Sequence, residues 1–230
     1  MSGNDLKSLR TARGWTQAEL AEKLLVSQGY LSQLERGVRP FSQELALRAV
    51  KTLAVPPMLL APRDPARWLA MPEANGALAR ALGKLGYPGF AHLRGGERSN
   101  PVEVLLGALI QPNLETRVAE GLPWLALAYA EMDWKWAVHE AKVNDLQNRL
   151  GFVLALATAV AERGADFLAA GKLKAVEHNL ERSRLQREEA FCYDSLTEAE
   201  RTWVADRRSP EAVRWRMISD LTAESLRHAA

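Results

Sequence analysis

The sequence has little cysteine and no long hydrophobic run, and each shortage excludes a class of protein. Cys192 is the only cysteine among 230 residues, which excludes an intramolecular disulfide framework and a zinc site built from several cysteines. No apolar run approaches the roughly 18 residues that a transmembrane helix needs. The first ten residues, MSGNDLKSLR, lack the apolar core of a secretory signal. We therefore expect a protein of the reducing cytoplasm that makes no contact with a membrane.

The composition is that of a folded protein whose charge is unevenly distributed. Hydrophobic residues make up 47% of the chain and charged residues 25%, which is ordinary for a globular protein with a core. The formal net charge is only +2, but residues 1–100 contain 14 Lys/Arg and 8 Asp/Glu, whereas residues 101–230 contain 16 and 20. This asymmetry suggests that a polyanion binds at the N-terminal end.

Four short helices with very short connections are predicted at the N-terminus. They cover residues 5–13, 16–24, 28–36 and 43–53, and a short fifth piece runs from 56 to 62. Thr16 and Glu19 form a capping box, in which each side chain satisfies a free backbone N–H of the first turn. Ser27 and Ser42 are expected to cap the third and fourth helices. Gly14 and Gly37 end the first and third helices.

Two helices joined by about three residues, the second short and polar outside, form a helix-turn-helix. The stretch TQAELAEKLLVSQGYLSQLERGVRP resembles the Cro and phage-repressor (XRE-like) type of this motif, and the resemblance extends from Leu6 to about Leu60. It implies a five-helix, lambda-repressor-like DNA-binding domain over residues 1–62, acting as a dimer on a pseudo-palindromic operator. Leu25 departs from the pattern, because the family usually has glycine at this left-handed turn. We expect local strain or a remodelled turn there.

The outward face of the third helix is the predicted DNA-reading surface. Leu31 and Leu34 point inward, which leaves polar residues for the major groove or for plain solvation. The candidate base contacts are Gln28, Gly29, Ser32 and Gln33, because glutamine pairs with adenine and a glycine permits close approach. The candidate contacts to the DNA backbone are Gln17, Arg10, Arg13, Lys23, Tyr30, Arg36 and Arg39. Trp15 is predicted to pack beneath the first turn.

A linker and a second helical domain are predicted after residue 62. Residues 63–100 hold a connector with several prolines, a short helix over 74–85 and a turn-rich loop. Residues 101–230 are predicted to form a helical dimerisation or partner-binding domain, so the fold class is all-α. Three short helices are predicted over residues 101–110, 113–120 and 123–131. The longest helix runs from just after Asp133 to about Arg163, and another spans 172–193. Capping signals at Thr197 and Ser209 open two more that end near Arg208 and His228. The apolar stripe of the longest helix is Val143, Leu146, Leu150, Val153, Leu154, Ala157 and Val160.

Two tryptophans and one polar tract stand out in this domain. Trp134 and Trp136 diverge by about 200° around a helix, so one is expected to be exposed or at a partner or dimer interface. The alternative is that both lie between packed helices. Gln147, Asn148 and Arg149 interrupt the apolar pattern, as a polar helix face or as a binding site.

No pattern of catalytic or metal-binding residues emerges. His139-Glu140 could begin a zincin motif, but Val143 stands where the second ligand belongs. Cys192 has no assignable base and is more typical of a small buried hydrophobe. We expect no enzyme activity, no metal and no cofactor.

The sequence therefore predicts a DNA-binding transcriptional regulator, a dimeric repressor, whose helical tail binds a protein or a second copy. The region DWKWAVHEAKVNDLQNRLGF resembles the tails of antitoxins that repress their own operon, which would make a cognate toxin the partner. The alternative is a regulator whose helical domain senses a small ligand.

Overall fold

The computed structural model describes residues 2–60, 62–71, 73–93, 95, 99–191 and 193–226. The chain divides into two compact units, residues 1–61 and 62–230, and each is described by itself. Within the described residues most of the chain is helical, with twelve α-helices and one pair of two-residue strands.

The described part of the N-terminal unit contains four α-helices and, where the fifth piece is predicted, a 3₁₀ turn over Pro57–Leu59. The helices are α1 (Gly3–Thr11), α2 (Gln17–Lys23), α3 (Gln28–Glu35) and α4 (Gln43–Thr52). The predicted caps are confirmed: Thr16 and Glu19 form a reciprocal capping box, and Ser27 and Ser42 accept hydrogen bonds from the first turns of α3 and α4. The first helix begins earlier than predicted because Ser2 forms a capping box with Asp5.

The turn between α2 and α3 has the strained conformation that the sequence predicts. Leu25 has φ +55° and its side chain is 78% exposed, so it bears the left-handed conformation without compensation from burial. Gly14 and Gly37 also have positive φ, as expected of glycines that end helices. The core beneath these turns joins all four helices through Leu6, Leu20, Leu24, Leu31, Leu34, Leu45, Ala49, Val50, Leu53 and Val55.

The C-terminal unit is built from eight helices of the described chain and one parallel strand pair. The helices are α5 (Ala74–Leu85), α6 (Pro101–Leu109), α7 (Thr116–Ala128), α8 (Trp134–Val143), α9 (Gln147–Arg163), α10 (Phe167–Glu181), α11 (Glu198–Ala205) and α12 (Pro210–Arg214). Strand β1 (Glu189–Ala190) pairs with β2 (Met217–Ile218). Two helices are central: α9 packs on α7 and α10, and every residue of α6 is buried.

The expected linker over residues 63–100 is instead part of this unit. Trp68, in a 3₁₀ turn over Pro65–Trp68, is 3% exposed. Its ring occupies the space beside Gly107 of α6, where an added Cβ would lie 2.1 Å from Trp68 Cδ1. Helix α5, which has the predicted bounds, packs on α6 and α7. The burial of Trp68 and of the apolar face of α5 therefore makes both elements part of the fold of this unit.

Two predicted helices are interrupted, and two predicted pieces are joined. The helix expected from Asp133 to Arg163 breaks at Asp145, which has φ +58°, between α8 and α9. The helix expected over 172–193 is α10, which ends at Glu181, after which the chain enters β1. Pro123 lies inside α7, where two separate helices are predicted. The helix opened by Ser209 ends at Arg214 and not near His228, which lies outside the described residues.

The polar tract at the start of α9, Gln147, Asn148 and Arg149, is buried, so the prediction of a polar helix face is wrong. Asn148 and Arg149 instead connect separate segments of the unit. Arg149 donates hydrogen bonds to the carbonyls of Leu109 and Gln111, each at 2.9 Å, and pairs with Glu189 at 3.1 Å. Asn148 exchanges hydrogen bonds with the backbone of Leu185. These bonds satisfy carbonyls at the end of α6 and fix the course of the chain that leads into β1.

Candidate nucleic-acid interface

Helices α2 and α3 are joined by a short turn over residues 24–27. The carbonyl of Leu24 accepts a hydrogen bond from Arg48 of α4 at 2.8 Å, which satisfies a carbonyl at the end of α2. Leu31 and Leu34 of α3 are fully buried against the core of the unit. The buried leucines therefore hold α3 against the core, and the hydrogen bond from Arg48 anchors the turn that precedes it.

The face of α3 that points away from the core carries the predicted base contacts. Gln28 and Gly29 are exposed, and Ser32 and Gln33 are partly exposed. At 100° per residue these four positions and Arg36 span an arc of about 140°. A Cβ added at Gly29 would meet nothing within 4 Å, so the open space beside this glycine is available to another molecule. The arc is a polar surface with hydrogen-bonding groups suited to base edges.

A buried ion pair supports α3 from behind. Arg10 Nε donates to Glu35 Oε1 at 2.6 Å, and Gln17 Nε2 donates to Glu35 Oε2 at 2.8 Å. Burial alone would raise the pKa of the Glu35 carboxyl, but the hydrogen bonds from Arg10 and Gln17 and the charge of Arg10 outweigh it and lower the pKa. Arg10 also donates to the carbonyl of Trp15 at 2.7 Å. This network ties α1, the start of α2 and the end of α3 together.

Arg10 and Arg13, predicted as phosphate contacts, are used inside the domain. Arg10 is 8% exposed and its guanidinium is occupied by Glu35 and Trp15, so that prediction is corrected: the side chain is a structural ion-pair partner. Arg13 donates to the carbonyls of Leu9 and Leu53, which joins α1 to the end of α4. Sequence reasoning did not anticipate either partner, because both come from distant positions in the chain.

The other residues predicted to contact the DNA backbone differ in their exposure and in whether their side chains already have partners. Gln17 is half-buried at the start of α2 and shares one amide N–H with Glu35. Lys23 lies 4.9 Å from the ring centre of Trp15, and Arg39 lies 5.6 Å from that of Tyr30. Trp15 and Tyr30 pack against the core, as predicted for Trp15. Lys23, Arg36 and Arg39 are exposed and flank the helix pair as cations accessible to phosphate.

The comparisons with known proteins agree with this geometry. Residues 6–60 match the model of a helix-turn-helix family. The N-terminal unit is a helix-turn-helix domain of the Cro and phage-repressor type. The chain is 37% identical over 68 residues to the HTH-type transcriptional regulator RamB of Mycobacterium tuberculosis, in strains CDC 1551 / Oshkosh and ATCC 25618 / H37Rv. That match covers 30% of this chain and 14% of each RamB protein. No solved structure is significantly similar to the chain.

The two tryptophans of α8 have different environments. Both are half-buried, but the indole N–H of Trp134 donates to the carbonyl of Ala130 at 2.8 Å. The indole N–H of Trp136 makes no hydrogen bond to another described residue, and Trp136 is one of the residues that line an open cleft. Trp136 is therefore the member of the pair that is available for a partner.

A second concave surface was not predicted from the sequence. A half-open cavity of about 200 Å³ is lined by Leu114, Thr116, Ala119, Phe191, Tyr193, Leu196, Val204, Ile218, Ser219, Asp220 and Leu221. Its walls come from the start of α7, the chain after β1, α11 and the chain from β2 onward. No local pattern could have indicated it, because these segments are far apart in sequence.

In the part of the chain that the structure describes, no helix combines the length and the apolar character required to cross a bilayer. Among the same residues, no three His, Cys, Asp or Glu side chains are grouped so as to hold a metal ion. Cys192 lies outside the described residues.

Proposed function

We propose that the chain is a sequence-specific, double-stranded-DNA-binding transcriptional regulator that acts as a dimeric repressor. The observation that carries this proposal is the exposed polar arc of α3, held in place by the buried Arg10–Glu35 pair within a helix-turn-helix domain. The name of the RamB relatives, transcriptional regulators, supports the regulatory role. In this assignment Gln28, Gly29, Ser32 and Gln33 read bases in the major groove, and Lys23, Arg36 and Arg39 contact phosphates.

Selection from a random duplex library by the full chain, followed by affinity measurements, tests the DNA-reading role. We expect Gln28→Ala and Gln33→Ala each to weaken binding to the selected duplex by about 1–3 kcal/mol, with little change on random DNA. Gln186→Ala, at an exposed glutamine of the C-terminal unit, is the matched control. Equal losses on selected and random DNA would remove the base-reading role.

The dimeric part of the proposal has its own test. Two recognition helices of a dimer lie about 34–36 Å apart, one turn of DNA. Inserting about 5 base pairs between the selected half-sites should move them to opposite sides of the duplex and abolish tight binding. Unchanged affinity would contradict a dimer that engages both half-sites. Reporter expression from a promoter that overlaps the site tests repression.

We assign the C-terminal unit to dimerisation or to a protein partner, which would be a cognate toxin if the chain is an autoregulating antitoxin. The unit is larger than the DNA-reading one and has the available Trp136 on its surface. Counted over the two units, however, the net charges are +3 for residues 1–61 and −1 for residues 62–230, a smaller contrast than that between 1–100 and 101–230. Electrostatic attraction of a partner must therefore come from local groups. Co-expression with the product of the neighbouring gene and co-purification of the two tests this role.

A small-ligand sensor is the second candidate, and the cavity between α7 and α11 favours it. Its lining residues are mostly apolar, with Thr116, Tyr193, Ser219 and Asp220 as the polar ones, which is typical of a site that orients a small molecule with a few polar groups. A screen of small apolar alcohols and amides for thermal stabilisation of the full chain tests this candidate. Leu196→Trp, which should fill the cavity, is expected to remove the stabilisation. A hit that leaves operator affinity unchanged would contradict a sensor role.

A further inference from the structure

A cleft on the C-terminal unit combines a tryptophan with two carboxylates. It has a volume of about 470 Å³ and lies between α8 and the chain at the start of the unit. One side is formed by Pro62, Asp64 and Ala66, and the other by Trp136, Glu140, Val143 and Asn144. None of the described lining residues is a lysine or an arginine, so the described side chains give the cleft a negative charge.

Three of the lining side chains lie on one face of helix α8. Trp136, Glu140 and Val143 follow the spacing i, i+4, i+7 and therefore share a face, whereas Ala137 and Ala141 are buried on the other side. Val143 is 66% exposed, although the sequence pattern predicts it to be in the core. Trp136 and Val143, two helical turns apart on this face with Glu140 between them, give the cleft its apolar surface on the α8 side.

The carboxylates of Asp64 and Glu140 can both accept hydrogen bonds from a ligand, but only that of Asp64 is held in position by a hydrogen bond of its own. Asp64 caps the 3₁₀ turn at Pro65–Trp68, with its Oδ1 accepting from the Ala66 N–H at 2.8 Å. Its position is therefore fixed, while its second oxygen makes no hydrogen bond to a described residue. The Glu140 carboxylate makes no ion pair or hydrogen bond with any other residue in the described ranges, so both acids can accept from a ligand.

We propose that this cleft binds an arginine side chain of a protein partner. A guanidinium is planar and can stack on an indole face while its N–H groups donate to carboxylates. A lysine ammonium lacks the planar stacking surface, a neutral ligand would leave the acids unpaired, and DNA phosphates would be repelled. The proposal rests on the partner-binding role of the C-terminal unit given above and places that role at Trp136, Asp64 and Glu140.

Fluorine NMR of the full chain, labelled with 5-fluorotryptophan, tests the cleft directly. The resonance of Trp136 is assigned by its loss in Trp136→Phe. Titration with acetyl-Gly-Arg-Gly-amide should shift this resonance with a dissociation constant in the millimolar range. The lysine peptide should bind more weakly, and the uncharged citrulline peptide should give no saturable shift.

Two conservative variants test the carboxylates. Asp64→Asn retains the oxygen that caps the turn, and Glu140→Gln retains the helix, so both should fold. Each should weaken arginine-peptide binding by about fivefold, as expected for a partly exposed ion pair of about 1 kcal/mol. Glu198→Gln, an exposed acid on α11, should have no effect and serves as the matched control.

The outcomes separate this inference from the proposed function. Equal shifts by the arginine and citrulline peptides, or no shift at Trp136, would overturn the cleft assignment even if a partner co-purifies. A Trp136 resonance that changes with protein concentration alone would also overturn it, because a second copy of the chain would then occupy the cleft. Arginine-specific binding without any co-purifying partner would support the cleft and contradict the partner role.

Discussion

The two units treat buried carboxylates in opposite ways. In the DNA-reading unit Glu35 is held ionised, because hydrogen bonds from Arg10 and Gln17 outweigh the cost of burial and lower its pKa. In the C-terminal unit burial dominates and raises the pKa of both Glu103, which pairs with Arg67, and Glu177, which accepts from the indole of Trp215. A buried charge thus fixes the position of a recognition helix in one unit. In the C-terminal unit the buried acids Glu103 and Glu177 instead lie where segments distant in sequence pack together.

The largest effect expected from this comparison is loss of the Arg10–Glu35 pair. Arg10→Met leaves Glu35 buried without its cation, and breaking a buried pair in this way costs about 3–5 kcal/mol. Hydrogen exchange across α2 and α3, followed by mass spectrometry, should show lost protection in the N-terminal unit and an unchanged C-terminal unit. Arg36→Met, at an exposed arginine of the same unit, should change protection little. Equal stability of the Arg10→Met and Arg36→Met proteins would contradict the supporting role of the pair.

On a smaller scale, two glycines, one from each unit, differ in the space around them. A Cβ at Gly151 of α9 would lie 2.3 Å from the ring of the buried Trp215, so Gly151→Ala should destabilise the C-terminal unit by about 1–3 kcal/mol through overpacking. Gly29→Ala meets open space and should leave stability unchanged or slightly raised. Thermal unfolding of both variants provides the measurement. A destabilised Gly29→Ala protein with intact Gly151→Ala would reverse the comparison.

Leu25 offers a stabilising substitution in the N-terminal unit. Its left-handed backbone costs a non-glycine residue roughly 1 kcal/mol or more, and its side chain is largely exposed. Leu25→Gly should therefore raise the free energy of unfolding by about 1 kcal/mol. Leu47→Gly is the matched control, because Leu47 is also exposed but lies within α4, where glycine is unfavourable by about 1 kcal/mol. Urea unfolding should show opposite signs for the two variants, and a shared sign would refute the assignment of strain to Leu25.

The smallest expected effect is a difference in pH dependence. Because the pKa of Glu35 is lowered on folding, its contribution to stability is present above the pKa of an unfolded glutamate and is lost as the pH falls through the folded value. The raised pKa values of Glu103 and Glu177 act in the opposite sense: their contribution is present below the unfolded pKa and is lost as the pH rises through the folded values. Glu35→Gln should flatten the acid limb of the thermal stability of the N-terminal unit only. An identical pH profile in the variant would contradict this assignment.

The N-terminal unit could be predicted from its sequence because local chemistry decides its local structure. Caps at Thr16, Ser27 and Ser42 act within one helical turn, and the glycines at 14 and 37 act on their own backbone. The role of Arg10 could not be predicted, because its partner Glu35 is 25 residues away.

The C-terminal unit was harder to predict for the same reason. The periodic apolar pattern continues through Asp145, although the backbone there turns left-handed and separates α8 from α9. The buried role of Arg149 depends on carbonyls at Leu109 and Gln111, and the cleft at Trp136 depends on Asp64. None of these partners lies within one helical turn of the residue it serves.

Hydrogen exchange of the full chain with and without the selected duplex tests the central claim most directly, namely that one unit reads DNA and the other serves a different role. Binding should add protection to residues 16–40, which include α2, α3 and the following basic turn, and should leave residues 62–226 without protection attributable to DNA contact. Contact between two copies of the chain on the duplex could also protect C-terminal residues. Such protection is recognised because it also develops without DNA at high protein concentration. DNA-dependent protection centred on the C-terminal unit, or none at residues 16–40, would contradict the account.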